Sequence, residues 1–160
     1  PVILLHGDLS DTEMNSLYNH PKIKAMVSFT HGEGFGRPLL EFKPTNKPII
    51  VSAWGGQTDF LDKDTSILLP GNITPVHPSS VNNWILKESK WFTVNYSVAA
   101  QFLYDIYRNY PTYLEKCKKN SMFVNNNFSL KKMGELLNTF IKDKVLDVPI
   151  VTQLQLPINN

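Results

Sequence analysis

The chain has 160 residues, of which 42% are hydrophobic and 19% are charged. This length predicts about one domain, and the hydrophobic content suffices for a sizeable core. A net charge of +2 is too small to indicate nucleic-acid binding. The single cysteine excludes an internal disulfide framework and fits a reducing compartment. Because the chain has neither an apolar run near the roughly 18 residues of a membrane span nor a leader pattern at its start, it is predicted to be cytosolic.

Basic residues gather late in the chain, and two interpretations of them remain open. A solvated helical surface is one, and a patch for an anionic membrane or a charged acceptor is the other. The second interpretation would place the protein at the periphery of a membrane. The residues concerned are Lys116, Lys118, Lys119, Lys131, Lys132, Lys142 and Lys144.

The chain begins with alternating predicted strands and helices. The apolar run Val2–Leu5 has the pattern of a buried strand. Ser10 and Glu13 have the spacing of a capping box, which predicts a helix over 11–19. The apolar residues of 25–29 predict the next strand, which leads into a glycine-rich loop.

The glycine-rich loop has the features of an anion site. Gly34 and Gly36 lack a Cβ, so the backbone can adopt positive φ and a ligand can approach its amides. Pro38 suits the first turn of a helix, whose unsatisfied amides and positive end would face a phosphate. Glu41 follows about one turn into this helix, where its carboxylate could accept hydrogen bonds from sugar hydroxyls. The combination suggests a nucleotide sugar.

A second loop follows a second strand. Pro44 is expected to end or kink the helix, and Asn46 suits the left-handed position that closes it. The strand predicted over 48–52 runs into Trp54-Gly55-Gly56, at the carboxyl edge where open α/β sheets bind ligands. For Trp54, packing at the rim of the core is as good an interpretation as ligand contact. Asp59 is expected to cap the following helix.

The second half of the chain is predicted to be mainly helical after an irregular segment. A strand is plausible over 65–69, but prolines, glycine and asparagines oppose any regular element from there to Trp84. Asn95 is a suitable cap for a helix over 97–109, and a second helix is predicted over 111–119.

A third helix is predicted over 130–142, with Ser129 as its cap. The tail over 147–160 is expected to be an irregular strap. The buried face of the third helix is predicted to consist of Met133, Leu136, Leu137 and Phe140.

These residues carry a family resemblance. The run Glu33-Gly-Phe-Gly-Arg-Pro-Leu-Leu-Glu41, placed between two apolar strands, resembles the donor-site motif of retaining glycosyltransferases, in particular glycosyltransferase family 4 of the two-domain GT-B fold. The resemblance covers most of residues 1 to about 141. Its further landmarks are Lys47–Val51, Trp54–Leu61, Trp91 and Phe128–Ser129.

The resemblance implies the fold and its division. Residues 1–146 would form a partial nucleotide-sugar-binding domain, with 147–160 as a C-terminal tail. The domain would be α/β, Rossmann-like, with three α/β/α layers around a parallel sheet and a helical C-terminal part. Because the chain opens at Pro1 directly on an apolar run, it looks like a fragment of the C-terminal half of a GT-B enzyme. The acceptor domain and the basic residues that the family usually sends to the donor diphosphate would precede it.

The resemblance also implies a reaction and the roles of residues. A sugar would pass from a nucleotide diphosphate sugar to a hydroxyl acceptor with retention, without a metal or a further cofactor. Glu33 would meet donor hydroxyls near the reacting carbon, Glu41 would accept from the ribose, and Arg37 would be a charge partner of the diphosphate. His31 could touch donor phosphate or acceptor, or be a packed histidine. The other donor contacts would be Gly34, Phe35, Gly36, Pro38, Leu39, Leu40, Trp54, Gly55 and Gly56.

Alternative functions have different support. The chain could be a non-catalytic nucleotide-binding or assembly lobe, which the missing acceptor half favours. A Rossmann dehydrogenase lacks its glycine motif after the first strand, and no nucleophile elbow or Walker loop supports a hydrolase or ATPase. The scattered histidines and the single cysteine do not support a structural zinc site.

Overall fold

The computed structural model describes residues 2–144, in which strands and helices alternate through the first half and helices dominate the second. The strands are β1 (Met26–Ser28), β2 (Ile49–Ser52), β3 (Ile67–Leu69), β4 (Gly71–Pro75) and β5 (Lys90–Val94). The helices are α1 (Asp11–Asn19), α2 (Arg37–Phe42), α3 (Tyr96–Cys117), α4 (Asn120–Phe128) and α5 (Leu130–Lys144).

The first three strands form a parallel sheet in the order β1-β2-β3. Met26 pairs with Ile49 across the first ladder, and Ile50 pairs with Ile67 across the second. All four residues of β2 are buried, as expected for the central strand of a parallel sheet. The strands predicted over 25–29, 48–52 and 65–69 are therefore confirmed, and the chain has the mixed α/β character that the sequence predicts.

The last two strands form an antiparallel hairpin. Gly71 pairs with Val94 and Pro75 with Lys90. The prediction that no regular element forms before Trp84 was wrong, because Pro75 lies at a strand end, where proline is tolerated, and Gly71 is where the partner backbone comes closest. A Cβ on Gly71 would lie 2.2 Å from the Thr93 carbonyl oxygen.

The helix caps predicted from the sequence are present. Ser10 and Glu13 form a reciprocal capping box at the start of α1. The Asn95 side chain accepts from the Val98 amide at 3.1 Å and caps α3. The Ser129 hydroxyl accepts from the Lys132 amide at 3.3 Å in the first turn of α5. These local signals confirm three of the predicted helix starts.

Proline and asparagine end or kink the helices as predicted. Helix α2 gives way at Phe42 to a 3-10 turn that contains Pro44, and Asn46 closes it with φ 56°. The helices expected over 97–109 and 111–119 are one element, α3, with a kink where Asn109 departs from helical geometry beside Pro111. Helix α4 was not predicted, because its three consecutive asparagines have low helix propensity.

The core of the first part of the chain lies where the sheet, the hairpin and α3 meet. Its packing is supplemented by half-buried aromatic residues such as Phe29 and Phe102. The buried members of this cluster are Ile50, Leu69, Phe92, Val94, Ala99 and Ile106.

Two apolar segments predicted to be buried are exposed. Val2–Leu5 forms no strand, and its side chains are exposed. A four-residue apolar run is not a strand unless it pairs with a neighbour, and none pairs with it within residues 2–144. The face of α5 predicted to be buried is also exposed, because an amphipathic pattern creates an apolar face without supplying its partner. The exposed residues of that face are Met133, Leu136, Leu137 and Phe140.

The chain divides into two compact units, one up to Asn125 and one from Asn126. The tail predicted over 147–160 lies outside the described residues. No helix in residues 2–144 combines the length and the apolar character needed to cross a bilayer.

Asp59 does not cap a helix, so that prediction was wrong. Asp59 ends the short 3-10 turn Gly56–Asp59. The next turn is held by Asp62, whose Oδ1 accepts from the amides of Asp64 and Thr65 at 2.9 Å each. Asp62 also lies 3.6 Å from the fully buried ammonium group of Lys43. Burial would raise the pKa of Asp62, but the hydrogen bonds from Thr65 and the charge of Lys43 hold it below its ordinary value.

The buried thiol of Cys117 predicts a pH dependence of stability. Burial raises its pKa from 9.0 to about 11. Because the unfolded chain releases this proton first, the stabilisation is complete below about pH 9 and is lost as the pH rises to about 11. The free energy of unfolding should fall across this interval by about 3 kcal/mol on account of Cys117.

The measurement is urea unfolding of the wild type and of Cys117→Ala at a series of pH values. The burial of Lys43 lowers the pKa of that group, which acts in the opposite direction, and this burial is present in both proteins, although the charge interaction of Lys43 with Cys117 is lost in the variant. The difference between the two free energies should therefore change with pH. A difference that stays constant from neutral pH to about pH 11 would contradict the assignment to Cys117.

Candidate functional site

Two glycine-containing loops emerge at the same edge of the parallel sheet. β1 ends at Ser28 and leads to the first loop, which runs to Gly36. β2 ends at Ser52 and leads to the second loop, Trp54–Gly56. Because the two strands are parallel and adjacent, both loops lie at their carboxyl ends. The prediction that both loops lie at the carboxyl edge of the sheet is confirmed, and the crevice expected between them stays a prediction.

The two loops contact each other through their backbones. The Gly56 amide donates to the Glu33 carbonyl oxygen at 2.9 Å. A Cβ on Gly56 would lie 2.0 Å from the Gly34 carbonyl oxygen, and one on Gly55 would lie 2.8 Å from the Glu33 carbonyl oxygen. Only glycine permits this approach. The glycine pair of the second loop thus fixes the position of the first loop.

The glycines of the first loop differ from each other. Gly36 has φ 85° and precedes α2, whose first turn contains Pro38 as predicted. Gly34 is not among the residues with positive φ, so the expectation of positive φ was correct for Gly36 and wrong for Gly34. A Cβ on Gly34 would meet nothing within 4 Å. Gly34 therefore leaves open space beside the loop, whereas Gly36 serves the turn.

Helix α2 is anchored beneath the loop by apolar packing. Leu39 is buried, Leu40 is half-buried, and both of their amides donate to the Gly36 carbonyl oxygen, at 3.0 and 3.2 Å. The Phe35 ring packs on the buried ring of Phe60 with 5.1 Å between centroids. The loop thus has apolar support on both sides of Gly36.

The two charged residues predicted on α2 pair with each other. Arg37 Nε donates to Glu41 Oε1 at 2.5 Å, one helical turn apart. The Arg37 side chain is 80% exposed and that of Glu41 43% exposed. This hydrogen bond raises the pKa of Arg37. The pair engages one of the two oxygens of the carboxylate that is predicted to accept from a ribose, so a ligand would have to share that carboxylate with Arg37 or displace Arg37.

Gln57 lies in the loop that the resemblance places near the donor, but its structural role was not predicted. Its side chain is fully buried, and its Nε2 donates to the Ser52 and Trp54 carbonyl oxygens at 3.1 and 2.6 Å. Its Oε1 has no hydrogen-bond partner among the described residues. A polar side chain directly after a glycine pair at a sheet edge was the available signal. Gln57 holds the second loop in place.

The hairpin docks against both loops through aromatic residues. The His31 ring stacks on Trp91 with 4.0 Å between centroids, and its Nδ1 lies 2.7 Å from the Phe92 carbonyl oxygen. Since a carbonyl only accepts, Nδ1 carries the proton. Trp54 is half exposed and stacks on Phe92 with 5.6 Å between centroids. His31 and Trp54 both have packing roles, and Trp54 keeps an exposed part.

Neither the scan against protein-family models nor the search of curated proteins finds a match. The resemblance to family 4 glycosyltransferases stays a prediction.

Chemically, the edge offers backbone amides, half-exposed aromatic surface and carboxylates. Glu33 is half-buried where the loops cross, and Glu41 is on the helix that follows. Within residues 2–144, no group of three or more histidine, cysteine, aspartate or glutamate side chains could hold a metal ion. The arrangement is suited to hydrogen bonding with a polyhydroxylated or phosphorylated ligand.

Proposed function

We propose that the chain is the donor-binding part of a retaining glycosyltransferase resembling family 4. Its parallel sheet would be the centre of a Rossmann-like three-layer domain in the C-terminal half of a GT-B enzyme. An acceptor domain of the same protein would complete the cleft. The donor is a nucleotide diphosphate sugar.

The contact between the two loops carries this proposal. Gly56 donates to Glu33 and leaves no room for a side chain toward Gly34. It thereby holds the Glu33 loop at the carboxyl edge of the sheet, where α/β folds bind their ligands. A loop built only to connect β1 to α2 would not need a second glycine loop pressed against its backbone.

The first loop suits a nucleotide sugar donor because it has backbone with open space beside it, at Gly34, next to the carboxylate of Glu33. The space beside Gly34 lets a sugar or phosphate approach the chain closely. Glu33 can accept hydrogen bonds from sugar hydroxyls, and Glu41 from a ribose. Arg37 would move between Glu41 and the diphosphate, since its charge neutralises either partner.

In the proposed reaction, the bond between the anomeric carbon and the diphosphate oxygen breaks. A bond to the acceptor hydroxyl oxygen forms on the same face of the sugar, and the hydroxyl proton passes to the leaving nucleoside diphosphate. The described residues contribute positioning and electrostatic stabilisation of the leaving diphosphate.

Calorimetric titration of the chain with UDP, GDP and ADP tests the donor site. One of the three should bind saturably, and Glu41→Ala should weaken that binding about ten-fold to a hundred-fold, because a hydrogen bond to a charged group contributes about 1.5 to 3 kcal/mol. Arg37→Ala should also weaken binding if the guanidinium serves the diphosphate.

Glu115→Ala is the matched control. Glu115 is an exposed carboxylate on α3 that also pairs with a basic residue, Lys118, on its own helix. It lies near Cys117, whose thiol donates to the Thr65 carbonyl oxygen just before β3, at the amino end of the sheet. The proposal would be contradicted if Glu115→Ala weakened nucleotide binding as much as Glu41→Ala does. It would also be contradicted if none of the three nucleotides bound saturably. Nucleotide binding by this chain, without transferase activity in any longer protein that contains it, would favour the non-catalytic lobe.

A further inference from the structure

A cavity of about 400 Å³ lies between the strands β2 and β3 and the helix α3. We call it the edge pocket. Its volume is within the range of small-molecule sites. Its apolar lining comes mainly from Ile49, Ile67, Leu68 and Phe102.

A buried hydroxyl in the lining of the edge pocket lacks a partner. Ser66 is 7% exposed, and its Oγ has no hydrogen-bond partner in the described part of the chain. Buried polar groups in proteins are nearly always satisfied, because an unsatisfied one has lost its hydration without compensation. A polar atom of a bound molecule would satisfy it.

The charges of the edge pocket favour an anion. Lys63, Lys116 and Asp64 contribute to its lining, which leaves one net positive charge among these three. Lys116 Nζ also lies 5.5 Å from the centroid of the Tyr113 ring, another lining residue. Because a lysine ammonium can pair with an anion beside an apolar wall, this lining suits a ligand that has both a negative charge and an apolar part.

The polar part of the edge pocket is separate from the glycine loops. Cys117, in its lining, donates to the carbonyl oxygen of Thr65, which precedes β3. Lys63 lies two residues before Thr65 in the sequence, and Ser66 follows it directly. These groups therefore lie at the amino end of β3, whereas the glycine loops follow the carboxyl ends of β1 and β2. The edge pocket does not depend on the proposed donor site.

We propose that the edge pocket binds a small amphipathic carboxylate. Its apolar body contacts Ile67 and Phe102, its carboxylate pairs with Lys63 or Lys116, and Ser66 hydrogen-bonds to one of its oxygens. Each part of this ligand is complementary to one feature of the lining. These features are the apolar walls, the excess positive charge and the unsatisfied hydroxyl.

Calorimetric titration with octanoate tests the proposal, with octanol and octylamine as probes of the same length. Octanoate should bind saturably with a Kd of about 1 mM or below. Octanol should bind about fivefold more weakly because it lacks the charge, and octylamine more weakly still. Ser66→Ala should weaken octanoate binding about fivefold, and Lys116→Gln by a similar factor.

Ser66→Ala is expected to fold, since it removes a hydroxyl that has no partner. Lys118→Gln is the control, because Lys118 pairs with Glu115 and does not belong to the pocket lining. Absence of saturable octanoate binding would overturn the proposal. So would octylamine binding as tightly as octanoate, or octanoate binding unchanged in both Ser66→Ala and Lys116→Gln.

Discussion

Gly56→Ala is expected to destabilise the protein by about 3 kcal/mol or more and to abolish the nucleotide binding proposed for the glycine loops. The added Cβ would lie 2.0 Å from the Gly34 carbonyl oxygen and 2.7 Å from its carbonyl carbon. Backbone atoms cannot rotate away as the end of a side chain can, so one loop must move. That movement breaks the hydrogen bond from Gly56 to Glu33. The measurement is urea unfolding, together with nucleotide titration of the folded fraction.

Gly34→Ala is the matched control, on the opposite side of the same contact. Its Cβ would meet no atom within 4 Å, and its φ is not positive. Its free energy of unfolding should therefore stay within about 0.5 kcal/mol of the wild type. If the space beside Gly34 receives the donor, this variant should remain folded and bind nucleotide more weakly. Equal stability of Gly34→Ala and Gly56→Ala would show that the loops are not in backbone contact.

Structural features that depend on a few neighbouring residues could be predicted from the sequence. The Ser10 capping box, the Asn95 and Ser129 caps and the left-handed Asn46 each depend on hydrogen bonds or backbone angles within four residues. Such contacts join residues that are close in the sequence, so they can be predicted without knowing which distant residues pack on them. The starts of α1, α3 and α5 were therefore placed well, whereas the helix end predicted at residue 109 is a kink within α3.

Features that require a distant partner could not be predicted. The hairpin depends on the pairing of Gly71 with Val94, and Gly71 and Pro75 oppose strands in any scale of local propensity. In contrast, Val2–Leu5 has the composition of a strand and is exposed. Whether an apolar run is buried is decided by what packs on it, and a single sequence does not state that.

The candidate site shows the same division. The order of strand, glycine loop and helix predicted that the Glu33 loop and the Gly55–Gly56 loop share one edge. The direct contact of their backbones and the pairing of Arg37 with Glu41 depend on loop conformation and rotamers. Gln57 was missed as a structural residue because its role is to satisfy backbone carbonyls that are visible only in the fold.

Phe60→Ala is expected to cost about 3 to 5 kcal/mol of stability, because it would leave a large cavity under the first loop. The Phe60 ring is 2% exposed, packs on Phe35 and lies 3.7 Å from the position of a Cβ on Gly36. Its carbonyl oxygen accepts from Lys43 at 2.6 Å, a bond that the substitution leaves in place. The loss of stability therefore measures the packing of the Phe60 ring. Urea unfolding is the measurement.

Two control variants, Phe60→Leu and Trp84→Ala, separate the loss of ring packing at Phe60 from a general sensitivity of the fold to substitution. Leucine fills part of the space, so Phe60→Leu should lose much less stability than Phe60→Ala. Trp84 is 91% exposed, and its removal should change the free energy of unfolding by less than about 0.5 kcal/mol. If Phe60→Ala unfolds no more easily than Trp84→Ala, the ring does not support the loop. Since Phe60 packs both on Phe35 and beside Gly36, a folded Phe60→Leu variant should also show weaker nucleotide binding at the candidate donor site.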